Sequence, residues 1–93
     1  MVTEVHAAHI LVDSNALAAD ILAQLRTGKS FEDLARKNSK CPSKAKGGDL
    51  GWFKAGMMVR EFEKAAFNGK KGEIVGPVKT QFGYHLIKII DQK

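Results

Sequence analysis

Glu4-Val5-His6-Ala7-Ala8-His9-Ile10-Leu11-Val12 is the stretch on which the fold turns. Read with a period of two, Ala7, His9 and Leu11 fall on one face and Ala8, Ile10 and Val12 on the other. Both faces are mostly apolar. That is the pattern of a strand covered on both sides, so the segment is expected at the centre of a sheet. His6 falls on the opposite face from His9. Near the other end, Thr80-Gln81-Phe82-Gly83-Tyr84-His85-Leu86-Ile87 leads into a second apolar run. In it His85, Ile87 and Ile89 alternate with Tyr84, Leu86, Lys88 and Ile90. The ends of a small domain often lie close together, so these two strands can meet.

The residues between them supply the rest of the pattern. Asp13-Ser14-Asn15 offers helix-starting oxygens. Leu17, Ile21 and Leu25 follow with helical spacing, Ala18 and Leu22 beside them, and Gly28 stands at the C-terminal end. Ser30-Phe31-Glu32-Asp33 resembles a capping box with Asp in place of Glu. It opens a second helix that buries Phe31, Leu34 and Ala35, with Glu32–Arg36 and Asp33–Lys37 as ion pairs on the wet side. Cys41-Pro42-Ser43 ends that helix, because proline disfavours helix in the residue before it. A lysine- and glycine-rich loop runs from Lys44 to Gly48, then a short strand from Leu50 to Phe53. A third amphipathic helix after Gly56 carries Met58 or Val59, Phe62, Ala66 and Phe67. Ile74 to Thr80 is a strand interrupted at Gly76-Pro77, as suits a sheet edge or a bulge. The order β-α-α-β-α-β-β predicts an α+β domain with a four-stranded, mainly antiparallel sheet flanked by helices.

With 93 residues, 44% of them hydrophobic and 27% charged, the chain reads as one soluble globular domain, residues 1–93. A lone cysteine rules out an internal disulfide and a multi-cysteine zinc site. A free thiol is at ease in a reducing compartment, and Met1-Val2-Thr3-Glu4 has neither the basic nor the apolar region of a secretory leader. A cytoplasmic monomer is expected. The charge is uneven: six cations and one anion lie between Leu34 and Lys54, while the remainder balances. Lys37, Lys40, Lys44 and Lys46 read first as a solvated loop. Displayed on one side, they would form a weak patch for an anionic surface, membrane or nucleic acid.

Three groups of residues can carry chemistry. His9 and His85, each singly a core histidine, gain meaning as a pair, because two strand-borne imidazoles can share a hydrogen bond and fix each other's tautomer. No third ligand stands at metal spacing, so no metal is expected. Cys41 is either a small buried hydrophobe or a thiol activated between cations at a helix-breaking junction. A Cys/His hydrolase would further need a base within reach and an oxyanion hole. Leu50, Met58 and Phe62 admit both a core and a pocket reading. On a helix, Met58 and Phe62 would share a face. Gly47-Gly48-Asp49-Leu50-Gly51 lacks the spacing of a phosphate-cradling loop, and its glycines suit turns with positive φ.

Several motifs, taken in order, resemble the parvulin family of peptidyl-prolyl cis/trans isomerases. They are His9-Ile10-Leu11-Val12, Phe31-Glu32-Asp33-Leu34-Ala35, Ser39-Lys40-Cys41-Pro42-Ser43, Gly47 to Phe53, Gly56-Met57-Met58-Val59, Phe62 with Phe67, Gly76-Pro77-Val78-Lys79-Thr80, and Gly83-Tyr84-His85. The resemblance implies the βα3βαβ2 fold and rotation of X–Pro bonds without a cofactor. It places His9, Cys41, His85 and Thr80 in the polar part of the site. Leu50, Met58 and Phe62 would form the proline pocket, and Phe82 its edge. Proline-containing, unfolded or flexible polypeptides are the implied partners. The short, acidic Asp13-Ser14-Asn15 replaces the long basic loop of the phosphorylation-specific branch, so phosphoserine–proline specificity is not expected. Lys40 stands where relatives often have an acid. A peptide-binding or chaperone module using the same groove without catalysis is the alternative reading.

Overall fold

In the computed structural model, which describes residues 2–93, Glu4–Val12 forms β1, and it is a central strand. Met1, at the head of the acidic start, lies outside the described residues. Along the chain follow α1 (Asn15–Arg26), α2 (Phe31–Asn38), a 3₁₀ helix (Pro42–Lys46), β2 (Asp49–Lys54), α3 (Arg60–Asn68), β3 (Ile74–Thr80) and β4 (Gly83–Gln92). The sheet order is β2-β1-β4-β3, and all three pairings are antiparallel. β3 is therefore an edge, and its register slips between Val75 and Val78, where Gly76-Pro77 interrupts it.

Each face of the sheet has its own apolar cluster. Ala8, Ile10, Val12 and Leu86 pack under α1 and α2 against Ala18, Ile21, Phe31 and Leu34. Val5, Ala7, Ile87 and Ile89 pack on the other side against Phe53, Phe62 and Ala66. The alternation of β1 and β4 thus divides two cores, and burial of these side chains is the main stabilising term. Local signals set the helix starts: Ser14 Oγ accepts from Leu17 N (3.1 Å) and Ser30 Oγ from Asp33 N (3.2 Å).

Four expectations need correction. Leu17 is not in the buried stripe of α1 but 40% exposed, because only Ala18 and Ile21 of that helix are buried against the sheet. The expected ion pairs of α2 do not form. Asp33 takes Arg36 one residue closer (3.3 Å), and Glu32 reaches across to Lys88 of β4 (3.5 Å). Part of the lysine-rich loop is the 3₁₀ helix, closed by Gly47 at φ +70°. α3 starts only at Arg60, so Met58 lies in the preceding turn and does not share a helical face with Phe62.

Candidate active site

The open part of the second face is a cavity of about 510 Å³. His9, Leu11, His85, Leu50, Met58 and Phe62 are among its walls, and Cys41, Lys40, Pro42, Met57, Val59 and Phe82 complete the lining. β1 and β4 are neighbours, so His9 and His85, 76 residues apart in sequence, stand ring against ring with Nδ1 atoms 3.0 Å apart. Both are buried. Phe62 meets both imidazoles edge-on, at 5.5 and 5.3 Å between centroids.

The hydrogen bonds restrict the protons. One proton can lie between the two Nδ1 atoms, so one ring donates and the other accepts. His85 Nε2 is 2.7 Å from Thr80 Oγ1, which also accepts from Phe82 N (3.1 Å). His9 Nε2 is buried without a partner among the described residues. Burial, and second the facing His85, lower the His9 imidazole from 6.5 to about 4. Burial lowers His85 as well. The pair is neutral at pH 7.

Cys41 reaches the cavity through a clip. Ser39 Oγ, itself buried, accepts from Leu11 N (3.0 Å) and Cys41 N (3.3 Å), while Lys40 N donates to Leu11 O (2.8 Å). The half-buried thiol is thereby stitched to β1. No histidine nitrogen serves it as a base. Both Nδ1 atoms face each other, His85 Nε2 faces Thr80, and His9 Nε2 is unpartnered. The nucleophile–base contact of a Cys/His hydrolase is absent among the described residues.

Sequence reasoning singled out eight side chains for this site, and seven line the cavity. Thr80 stands behind His85 and does not line it. Sequence reasoning missed Ser39, Leu11, Pro42, Val59 and Met57. All five lie inside the motifs that carry the family resemblance, but nothing in a motif distinguishes a residue that serves the site from its neighbours. Lys40, assigned to the surface patch, lines the cavity as well, and its ammonium pairs with Asp13. Lys37 lies in the last turn of α2, whereas Lys44 and Lys46 lie on the 3₁₀ helix. On the sheet face away from the cavity, Asp49 bonds His6. Partial burial pushes the Asp49 carboxyl up, but hydrogen bonds from Gly51 and His6, with Lys46 nearby, hold it below its ordinary value. No group of three metal-ligating side chains is found among the described residues.

The chain is thus a four-stranded antiparallel α+β domain with a buried histidine pair in the wall of an apolar cavity. The chain matches the PPIC-type PPIase domain along residues 1–93 and belongs to the parvulin family. Foldase protein PrsA 1 of Bacillus cereus is 55% identical over 91 residues, covering 97% of this chain and 32% of that protein. The chain spans about a third of the length of the curated relatives it matches. Among solved structures, peptidylprolyl isomerase PrsA of Bacillus anthracis superposes with a TM-score of 0.96 at 47% identity, covering 99% of this chain and 43% of that one. The parvulin of Nitrosopumilus maritimus gives 0.87 at 41% identity, covering 96% of this chain and 97% of that one.

Proposed function

We propose that the chain catalyses cis/trans isomerisation of X–Pro bonds in polypeptides by non-covalent stabilisation of the twisted amide. The observation that carries this reading is the neutral His9–His85 pair set into the wall of an apolar cavity. Rotation about the bond must cross a barrier of ~18–20 kcal/mol that originates in amide resonance, and no bond is made or broken. The site therefore need only bind the twisted amide better than either planar form. Leu50, Met58 and Phe62 offer the pyrrolidine ring an apolar surface. Cys41, His9 and His85 line the same cavity, and of their polar groups the thiol and His9 Nε2 are the ones without a partner among the described residues, left to bond an amide that has lost conjugation. Thr80 acts through His85, by holding its tautomer.

Substrates without phosphate are favoured. β1 passes into α1 through Asp13 and Ser14 alone, which leaves no room for a basic loop. Among the described residues Lys40 is the only one lining the cavity that carries a permanent charge, and it is paired with Asp13. A phosphate would need free cations. NMR exchange spectroscopy on X–Pro peptides, phosphorylated and not, tests the proposal. Accelerated exchange on the unphosphorylated set is expected. Binding without acceleration would turn the reading to the chaperone module, and a strong phosphoserine preference would overturn the specificity.

A contact of Lys37, Lys40, Lys44 and Lys46 with an anionic surface is a separate, weaker proposal. It is supported by the local excess of cations, of which Lys37, Lys44 and Lys46 form no ion pair among the described residues. Vesicle sedimentation at two salt concentrations tests it, since such binding must fall with salt. The cytoplasmic location rests on the lone thiol, and the monomeric state is likewise a proposal. Cell fractionation and analytical ultracentrifugation test them.

A further inference from the structure

β1 and β2 run in register at Val5↔Phe53 and His6↔Trp52, but the next pair is Ala8↔Asp49. Over that interval β1 advances two residues and β2 three. Leu50 and Gly51 therefore form a bulge, and Gly51 takes φ +73°, a left-handed conformation natural to glycine. A bulge turns a side chain out of the regular alternation, and here the side chain is Leu50, a wall of the proline cavity.

Two ties hold the bulge to one stretch of β1. On the Gly48 side, His9 N donates to Gly48 O (2.9 Å), and a Cβ at Gly48 would come within 2.4 Å of His9 O, so only glycine permits the approach. On the far face of the sheet, Asp49 Oδ1 accepts from Gly51 N (2.7 Å), across the bulge, and from His6 Nε2 (2.8 Å). Trp52 packs on the His6 ring at 5.5 Å, and the Lys93 ammonium lies 4.7 Å from the Trp52 centroid, so the His6–Asp49 contact is partly covered. β2 is an edge strand, with no further strand to supply an acceptor for Gly51 N.

We propose that Asp49 is a positioning residue of the site. Its carboxylate, anchored by His6, fixes the bulge that presents Leu50 to the proline ring. The inference rests on the isomerase reading. It adds a control of the apolar wall from the opposite side of the sheet, by a pair that touches no substrate.

The test separates binding from turnover. Asp49→Ala, Asp49→Asn, His6→Leu and His6→Gln are compared with the unaltered chain. The dissociation constant for one X–Pro peptide comes from NMR titration, and kcat and KM from exchange. Asp49→Ala should raise the dissociation constant and KM about tenfold, the worth of a hydrogen bond, with kcat little changed. Asp49→Asn keeps an acceptor and should restore both to within about twofold. His6→Leu should show the same defect in smaller degree, and His6→Gln, which keeps a donor, should relieve it. If Asp49→Ala does not fold, the His6 pair decides. Unchanged affinity in Asp49→Ala and His6→Leu, or a loss in kcat alone, overturns the inference. An unaltered chain that binds the peptide without accelerating exchange overturns the isomerase reading, while the affinities still judge Asp49. A chain that does neither overturns both.

Discussion

The two faces of the sheet are built from similar apolar side chains and put to opposite use. Under α1 and α2, Ile10, Val12, Ile21 and Leu86 are sealed, at 0–1% exposure. Across the sheet a single helix, α3, covers Ile87 and Ile89 and touches His9 and His85 through the edge of Phe62, and beside that contact the cavity opens. His9 and Ile10 are sequence neighbours, as are His85 and Leu86, yet each pair is split between the closed and open faces. Met57 and Phe82, at 64% and 59% exposure, are the two most exposed large hydrophobics among the described residues, and both line the cavity. Stability is concentrated where water is excluded, and binding where apolar surface is left wet.

The sharpest way to break this division is Ile21→Ala. It removes a fully buried side chain on the closed face and should cost ~2–5 kcal/mol in denaturant unfolding. The folded fraction should bind an X–Pro peptide as before. An affinity that falls in step with stability would mean the faces are not separable.

Acid probes the open face. The His9 imidazole titrates near 6.5 when unfolded and at about 4 when folded. Between those values the unfolded chain holds more protons, so lowering the pH favours unfolding. Stability is full above pH 6.5 and should decline toward pH 4 by on the order of 3 kcal/mol, with His85 adding in the same direction. Denaturation midpoints across that range measure it. In the double variant His9→Phe, His85→Phe most of the slope should vanish. A persisting slope would place the acid sensitivity elsewhere.

Within the cavity, Met58→Ala should lower kcat/KM about tenfold, as expected for lost apolar grip, with little change in stability because Met58 is only partly buried. Cys41→Ser should stay within about threefold, since a hydroxyl can keep the polar contact. If the folded serine variant were inactive, nucleophilic chemistry at Cys41 would have to be reconsidered.

Much of the fold was legible because the signals are local. The alternation of Glu4–Val12 assigned its faces, Ser14 and Ser30 marked helix starts, and Gly76-Pro77 marked the broken edge strand. Where reading failed, packing overrode a local rule. Helical spacing put Leu17 in a stripe, but the sheet takes only Ala18 and Ile21. Spacing also put Met58 on a helix. Val59, extended at φ −59° and ψ 150° and without a side-chain cap, instead ends a turn from which Met58 enters the cavity. No cap residue advertised that boundary. Glu32 found Lys88 across the fold because a neighbouring strand competes with the helix's own i,i+4 partners.

The site divides along the same line. The sequence alone determined which residues of β1 and β4 face together, since a strand's period of two is a property of its own backbone. It also determined, through the order of its motifs, the family to which the chain belongs. Only the tertiary structure decided that β1 lies beside β4 in the register that sets His9 against His85, with Thr80 one step behind. Only it put Leu50 on a bulge tied to His6 through Asp49. Periodicity gives a side chain its face; register and strand order give it its partner, and those are fixed by contacts between residues far apart in the chain.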